Sequence, residues 1–355
     1  MYTDEYYMQR CLQLAANGSG HVSPNPMVGA VVVHKGKIIG EGYHREYGKA
    51  HAEVNAINSV KDKSLLCEST IYVSLEPCSH YGKTPPCSQL IIDSRIPKVV
   101  IATLDPYFKV SGRGINMLKE AGIEVKTGVL EAEARNLNKG FFAAQQENRP
   151  YIYLKWAQTR DGYIDRARVE GKPKIPTPIS NTYTRMLVHK MRSEVASIMV
   201  ATNTAVNDNP SLTTRYWAGR NPVRLILDRS LRVPSDYQVL DDNVDTIVFC
   251  EKAPENNNRK RTSFVEIPFG KEMIPVIMRE LHSRKINSVL VEGGALLLQS
   301  FIDAKAWDEA YIEVADIIFE SGVKAPRIDG VLIDDKEIGC SQAIHLSNVE
   351  KYKIL

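Results

Sequence analysis

Two cysteines, Cys78 and Cys87, follow a His51–Ala52–Glu53 triplet, and this ordered set limits how the first half of the chain can fold. If these side chains act together, the segments that carry them must converge on one point. Residues 75–90 read LEPCSHYGKTPPCSQL, with a histidine, a glycine and two prolines between the cysteines. A disulfide, a structural zinc site and a catalytic zinc site all use such a stretch. The six cysteines (Cys11, Cys67, Cys78, Cys87, Cys250 and Cys340) are sparse over 355 residues. The N-terminal MYTDEYYMQR carries acidic residues and no apolar core, so it does not read as a signal peptide. A reducing, cytoplasmic setting is expected, where a close cysteine pair is more often a metal or catalytic site than a bridge.

The pattern of apolar residues supplies the segments. Residues 4–16 have helical spacing, and 27–33 and 37–43 read as strands joined by a tight turn at His34–Lys35–Gly36. Helices follow at 51–60, 87–94 and 115–122, with strands at 70–75, 98–104 and 123–129. This order predicts a sheet covered on both faces by helices. A helix over 131–147 is stopped by Pro150, which lacks the N–H a helix needs, and a domain boundary is expected there. Beyond it, 151–157, 223–228, 245–250 and 288–294 read as strands, and 182–193, 273–283 and 295–303 as helices. Residues 202–215 read as a polar loop. No run approaches the ~18 apolar residues of a membrane span. The net charge of +3 comes from mixed basic and acidic residues, too weak a signal for a nucleic-acid partner.

On this framework His51 opens a helix, Cys78 follows a strand and Cys87 opens the next helix. Three protein ligands leave zinc an open position for water, whose pKa the metal lowers toward ~7. A carboxylate beside the metal must then move protons without binding it. Glu53, two residues after His51, suits that role, and the dipole at a helix start favours a thiolate at Cys87. The order H-x-E, then P-C and a second Cys, matches the signature of zinc nucleobase deaminases, except that eight residues part the cysteines here. A closed structural site, with His80 as fourth ligand, is the bland alternative.

Residues 23–33 (SPNPMVGAVVV), 40–57 (GEGYHREYGKAHAEVNAI) and 76–87 (EPCSHYGKTPPC) resemble the deaminase domain of the RibD family of bifunctional riboflavin-biosynthesis proteins. The eight-residue spacer is that family's form of the loop. The resemblance implies a small phosphorylated substrate, 2,5-diamino-6-ribosylamino-4(3H)-pyrimidinone 5′-phosphate, hydrolysed with release of ammonia. It also implies substrate contacts at Asn25, His44, His80, Lys83 and Thr84, the last three suiting a phosphate.

In the second half, three stretches resemble the same family's NADPH-dependent reductase domain: 155–162 (KWAQTRDG), 202–215 (TNTAVNDNPSLTTR) and 289–301 (VLVEGGALLLQSF). The last runs strand, glycine pair, helix, and the N–H groups of a helix start bind phosphate. It is not G-x-G-x-x-G, so it is not a Rossmann fingerprint. The resemblance places Lys155, Arg192, Leu212, Arg215 and Glu292 toward substrate. It places Ala157, Thr204, Gly293, Gly294, Ala295 and Leu296, with the rest of 294–300, toward NADPH. Asp208 is assigned to cofactor and catalysis. Two departures stand: 175–181 reads IPTPISN, with Pro176 and Pro178 in place of the family's Ser-x-Trp-Ile-Thr, and Ala201 replaces a usual glycine.

The implied architecture is a cytidine-deaminase-like three-layer α/β/α domain over 1–148 and a dihydrofolate-reductase-like α/β domain over 149–355. The implied cofactors are Zn²⁺ and NADPH, and a homo-oligomer, dimer or tetramer, is expected. Two alternatives stay open: an impaired or non-reductase second domain, and a deaminase acting on nucleic acid.

Overall fold

The computed structural model of the chain describes residues 2–80, 85–107, 112–167 and 177–348. They form two compact units, Met1–Asn148 and Arg149–Leu355. The first unit contains α1 (Asp4–Ala16), β1 (Gly29–His34), β2 (Lys37–Tyr43), α2 (Ala52–Ser59), β3 (Ser69–Leu75), α3 (Cys87–Asp93), β4 (Lys98–Thr103), α4 (Arg113–Glu120), β5 (Glu124–Thr127), α5 (Glu131–Leu137) and α6 (Lys139–Gln146).

Its sheet has the order β2-β1-β3-β4-β5. β1 runs antiparallel to β2 and β3, and the remaining pairs are parallel. Side chains alternate across a strand, so β1 feeds two cores. Ala30 and Val32 pack with the apolar faces of α2, α3 and α4. Val31 and Val33 pack on the opposite face with α1 and α5. Each buried valine contributes ~1.5–3 kcal/mol of apolar transfer. The sheet is therefore covered on both faces. The β1–β2 turn places Lys35 and Gly36 at φ 49° and 78°, which a two-residue hairpin of this hand requires.

One expected helix is broken. Residues 131–147 divide into α5 and α6 at Asn138, which is buried and has φ −111°, ψ 22°. Its side chain accepts from the Met27 N–H at 2.7 Å and donates to the Met27 carbonyl at 2.9 Å. An inward amide that holds the chain just before β1 replaces helix continuity. That demand comes from 111 residues away and leaves no local periodicity to read.

The second unit contains β6 (Tyr151–Thr159), β7 (Tyr163–Asp165), α7 (Thr182–Glu194), β8 (Ser197–Ala201), α8 (Thr202–Asp208), β9 (Val223–Leu227), β10 (Thr246–Cys250), β11 (Thr262–Glu266), α9 (Met273–Ser283), β12 (Ser288–Glu292), α10 (Ala295–Asp303), β13 (Glu309–Ala315), β14 (Val323–Lys324), β15 (Val331–Ile338) and β16 (Ser341–Ser347). A nine-stranded sheet has the order β11-β10-β9-β8-β12-β6-β13-β16-β15. It is parallel from β11 to β13, and β16 and β15 close it as an antiparallel hairpin. The chain steps outward from β8 to β11, then returns to insert β12 between β8 and β6. Such a reversal opens a crevice at the carboxyl ends of the strands.

Two expectations are corrected here. Residues 202–208 form α8, not loop; with Ala205 as its one buried residue, so short a helix shows no apolar stripe. The strand expected over 288–294 ends at Glu292, because Gly293 and Gly294 take φ 101° and 64°.

α2 must lie close to the sheet, and Gly42 permits it. A Cβ there would sit 2.3 Å from the Ala56 nitrogen and 2.7 Å from the Ala52 carbonyl oxygen. Both are backbone atoms, so the helix would have to move. Gly42→Ala should destabilise the first unit by ~1–3 kcal/mol, read as a lower melting temperature; an unchanged melt would refute this packing.

Candidate active sites

In the first unit the three donors come from three segments. His51 is the N-cap of α2, Cys87 is the first residue of α3, and Cys78 follows β3 after Glu76–Pro77. The His51 Nδ1 lies 3.6 Å from the Cys78 Sγ and 3.4 Å from the Cys87 Sγ. All three donor atoms fall within 4.8 Å of one another. Zinc bonds of about 2.0–2.3 Å at tetrahedral angles put neighbouring N and S ligands ~3.6 Å apart. The trio therefore fits zinc in spacing and in donor type. His80 is exposed and lies outside the trio, so the described residues do not form the closed four-ligand site. All six cysteines are free thiols, which removes the disulfide. Hydrogen bonding from Cys87, then from His51, holds the Cys78 thiol below its ordinary value.

Glu53 is 3% exposed, and burial pushes its carboxyl up to about 7. A carboxyl that titrates near neutrality beside a metal trio is suited to carry a proton in both directions. His44 is also buried, its ring centroid 5.5 Å from that of His51. Its Nδ1 lies 3.1 Å from the Ala50 carbonyl and its Nε2 3.1 Å from the Asn25 Nδ2. The carbonyl can only accept, so the proton sits on Nδ1 and Nε2 accepts from Asn25. Burial lowers the pKa of His44, which keeps the imidazole neutral. Asn25, His44, His51 and Glu53 thus meet around one point. Lys83 and Thr84 lie outside the described residues.

Two acidic residues here carry no spacing signal. Glu76 is buried and accepts backbone N–H bonds from Gly112 (3.0 Å), Gly114 (3.0 Å), Asp105 (3.3 Å) and Ile115 (3.4 Å). It caps α4, where a negative charge meets the positive end of the helix dipole, and ties that helix to the Pro77–Cys78 turn. Asp105 is pushed up to about 6 by burial, with Glu76, His80 and Cys78 among its electrostatic neighbours.

In the second unit, Lys155 and Glu292 are paired across β6 and β12. Arg192, from α7, grips Glu292 with Nε–Oε1 at 3.0 Å and Nη2–Oε2 at 2.6 Å. The two side chains are only 12% and 14% exposed. Arg192 also donates through Nη1 to the Thr213 carbonyl at 3.3 Å. Burial pulls the Lys155 pKa down, against the opposing pull of Glu292 and Glu313. Glu313, unread in the sequence, is buried on β13 with an oxygen 4.0 Å from the Lys155 Nζ. It accepts from the hydroxyls of Ser180 (2.6 Å), Thr184 (2.7 Å) and Ser341 (3.1 Å).

The glycine pair lies against Thr204: a Cβ on Gly293 would be 2.9 Å from the Thr204 Cγ2. After it, Ala295 begins α10, and Leu296 is 80% exposed. An open helix start behind two glycines fits a dinucleotide phosphate. Ala157 lies two residues beyond Lys155 on β6, and Asp208 ends α8. Leu212 is 3% exposed, its side chain packed with Ile198, Val200 and Ile226, so only its backbone, at φ 54°, is at hand for a ligand. Arg215 is exposed, and its backbone N–H bonds to the His189 Nδ1 at 2.9 Å. Ala201 is the N-cap of α8. Pro178 is exposed, and Pro176 lies outside the described residues.

A three-ligand metal trio beside a buried glutamate, followed by a glycine-pair crevice in a parallel sheet, defines a zinc deaminase unit joined to a nucleotide-dependent reductase unit. The family model for the cytidine and deoxycytidylate deaminase zinc-binding region matches residues 1–103, and that for the RibD C-terminal domain matches 150–338. The riboflavin biosynthesis protein RibD of Aquifex aeolicus is 42% identical over 323 residues, spanning 90% of this chain and 89% of that protein. RibD of Bacillus amyloliquefaciens is 43% identical, spanning 92% and 87%. A diaminohydroxyphosphoribosylaminopyrimidine deaminase/5-amino-6-(5-phosphoribosylamino)uracil reductase from Thermotoga maritima is structurally similar, with a TM-score of 0.87 at 37% identity, covering 97% of this chain and 98% of that one. The chain belongs to the RibD family.

Removing one member of the Arg192–Glu292 pair would leave a buried charge alone. Glu292→Ala should cost ~3–5 kcal/mol, seen by calorimetry as an earlier transition; a melt like that of the parent would show that the pair is not desolvated.

Proposed function

We propose that this chain carries out two steps of riboflavin biosynthesis: hydrolytic deamination of the phosphorylated diaminopyrimidine, then NADPH-dependent reduction of its ribosyl group to ribityl. The observation that carries the first step is the trio of zinc-compatible donors with Glu53 buried beside it. His51, Cys78 and Cys87 would hold the metal. When bound, zinc acidifies water and so supplies a hydroxide nucleophile at neutral pH. Glu53 takes the proton from the attacking water and returns it to the departing nitrogen. Water and the ring amine become a ring carbonyl and ammonia. The neutral His44 and Asn25, fixed by their mutual hydrogen bond, orient the pyrimidine ring. His80, Lys83 and Thr84 take the phosphate.

In the second unit, the glycine pair, Ala295 and Leu296 at the start of α10, with Thr204 and Ala157, receive NADPH, which supplies the hydride. Lys155, held between Glu292 and Glu313, and Arg192 and Arg215 face the substrate. The backbone of Leu212 contributes a contact. Asp208 manages the proton that ring opening requires. The match of the RibD C-terminal domain over 150–338 supports an active reductase.

The setting proposed is cytoplasmic, supported by six unpaired cysteines. Among the described residues no helix is long and apolar enough to cross a membrane. The small net charge of +3 supports a small-molecule substrate in place of nucleic acid. A homo-oligomer is proposed, supported by Leu332 and Ile333, 57% and 46% exposed on the edge strand β15.

The test is coupled turnover of the diaminopyrimidine phosphate with and without NADPH, following ammonia and NADPH absorbance. Glu53→Gln should retain zinc and lose ammonia release by roughly 10²–10⁴-fold; loss of the metal would make Glu53 a ligand instead. Asp208→Ala should abolish NADPH oxidation on the deaminated substrate and leave ammonia release intact. A parent enzyme that releases ammonia but never oxidises NADPH would refute the second step.

A further inference from the structure

One face of α7 holds the loop that carries Arg215. His189 and Arg192 lie one turn apart on that face, and each bonds the backbone of the 211–215 segment. Arg192 donates to the Thr213 carbonyl at 3.3 Å, and the Arg215 N–H donates to the His189 Nδ1 at 2.9 Å. A backbone N–H can only donate, so the Nδ1 must be bare and the ring proton must sit on Nε2. We propose that His189 is a positioning residue of the reductase: as a neutral imidazole it fixes the Arg215 backbone and so sets where the Arg215 guanidinium meets the substrate.

Three further observations agree. His189 is 3% exposed, an unusual place for a histidine with no structural task. Burial, reinforced by the charges of Arg192 and Arg215, lowers its pKa to about 4, so Nδ1 stays free to accept. The Tyr216 ring packs edge-on against it at 4.8 Å, and the Arg215 guanidinium lies 6.0 Å from the same ring. Backbone and side chain of Arg215 are thus both referred to His189.

The inference rests on the assignment of Arg215 to substrate binding. The test measures kcat and KM separately for NADPH-dependent reduction by the full-length zinc enzyme, with the deaminated phosphoribosylamino-uracil as substrate. Ammonia release from the diaminopyrimidine phosphate, assayed separately on the same preparation, serves as the control. An asparagine oxygen occupies the place of Nδ1, and a glutamine amide that of Nε2. His189→Asn should therefore keep a near-parent KM. His189→Gln and His189→Phe should raise KM roughly tenfold, with a much smaller change in kcat, although phenylalanine retains the contact with Tyr216. Parent-like kinetics in His189→Phe or His189→Gln would overturn the proposal, as would equal impairment of the Asn and Gln variants. If His189→Phe does not fold, the Asn and Gln pair decides alone. Arg215→Ala is the reference: a parent-like KM there would overturn the substrate assignment itself. A raised KM there beside a normal His189→Phe would overturn only the role of His189.

Discussion

Three donor atoms on separate segments have to meet within 4.8 Å, and much of the first unit answers that demand. α2 brings His51, and Gly40 and Gly42 let that helix lie against β2. α3 brings Cys87, whose backbone N–H also bonds the Cys78 sulfur at 3.3 Å. Cys78 is held by the turn after β3, where Glu76 collects four backbone N–H groups from the start of α4 and the loop before it. A metal site of this kind is pre-shaped by carboxylate and backbone bonds that never touch the metal, as outer partners of metal ligands generally do.

The second unit solves a different problem, that of keeping buried charge. Arg192, Glu292, Lys155 and Glu313 are all largely buried and alternate in sign. Ion pairs so placed add little net stability, because desolvation offsets the attraction. Their use is geometric. Each fixes an element: Arg192 joins α7 to β12, and Glu313 joins β13 to the start of α7 and to β16. The loop that carries Arg215 then hangs from α7 through two backbone bonds, one to Arg192 and one to His189.

Much of this was legible beforehand. Residues 27–33 read as a strand, and the order of strands and helices announced a sheet covered on both faces; both faces of β1 are buried. His51, Glu53, Cys78 and Cys87 stood out because chemistry requires those residue types in that order. The residues that escaped were ordinary in local context. Asn138 sits in a convincing helical run, and its bond to Met27 spans 111 residues. Glu76 was quoted within the motif, yet its task lies on a helix start far along the chain. β13, β15 and β16 went unread, and with β13 went Glu313. β15 in particular is an edge strand with most side chains exposed, so burial leaves little pattern on it.

The sequence by itself determined the element types of the first unit, the donor set for zinc and the glycine pair before α10. These follow from period, residue chemistry and backbone freedom, which are local properties. Only the tertiary structure decided which carboxylates are buried, which proton His44 and His189 carry, and that Leu212 offers its backbone and not its side chain. Those facts depend on exclusion of water and on partners brought from distant segments. Local spacing does not encode them, because desolvation and hydrogen bonding are settled only when the layers pack.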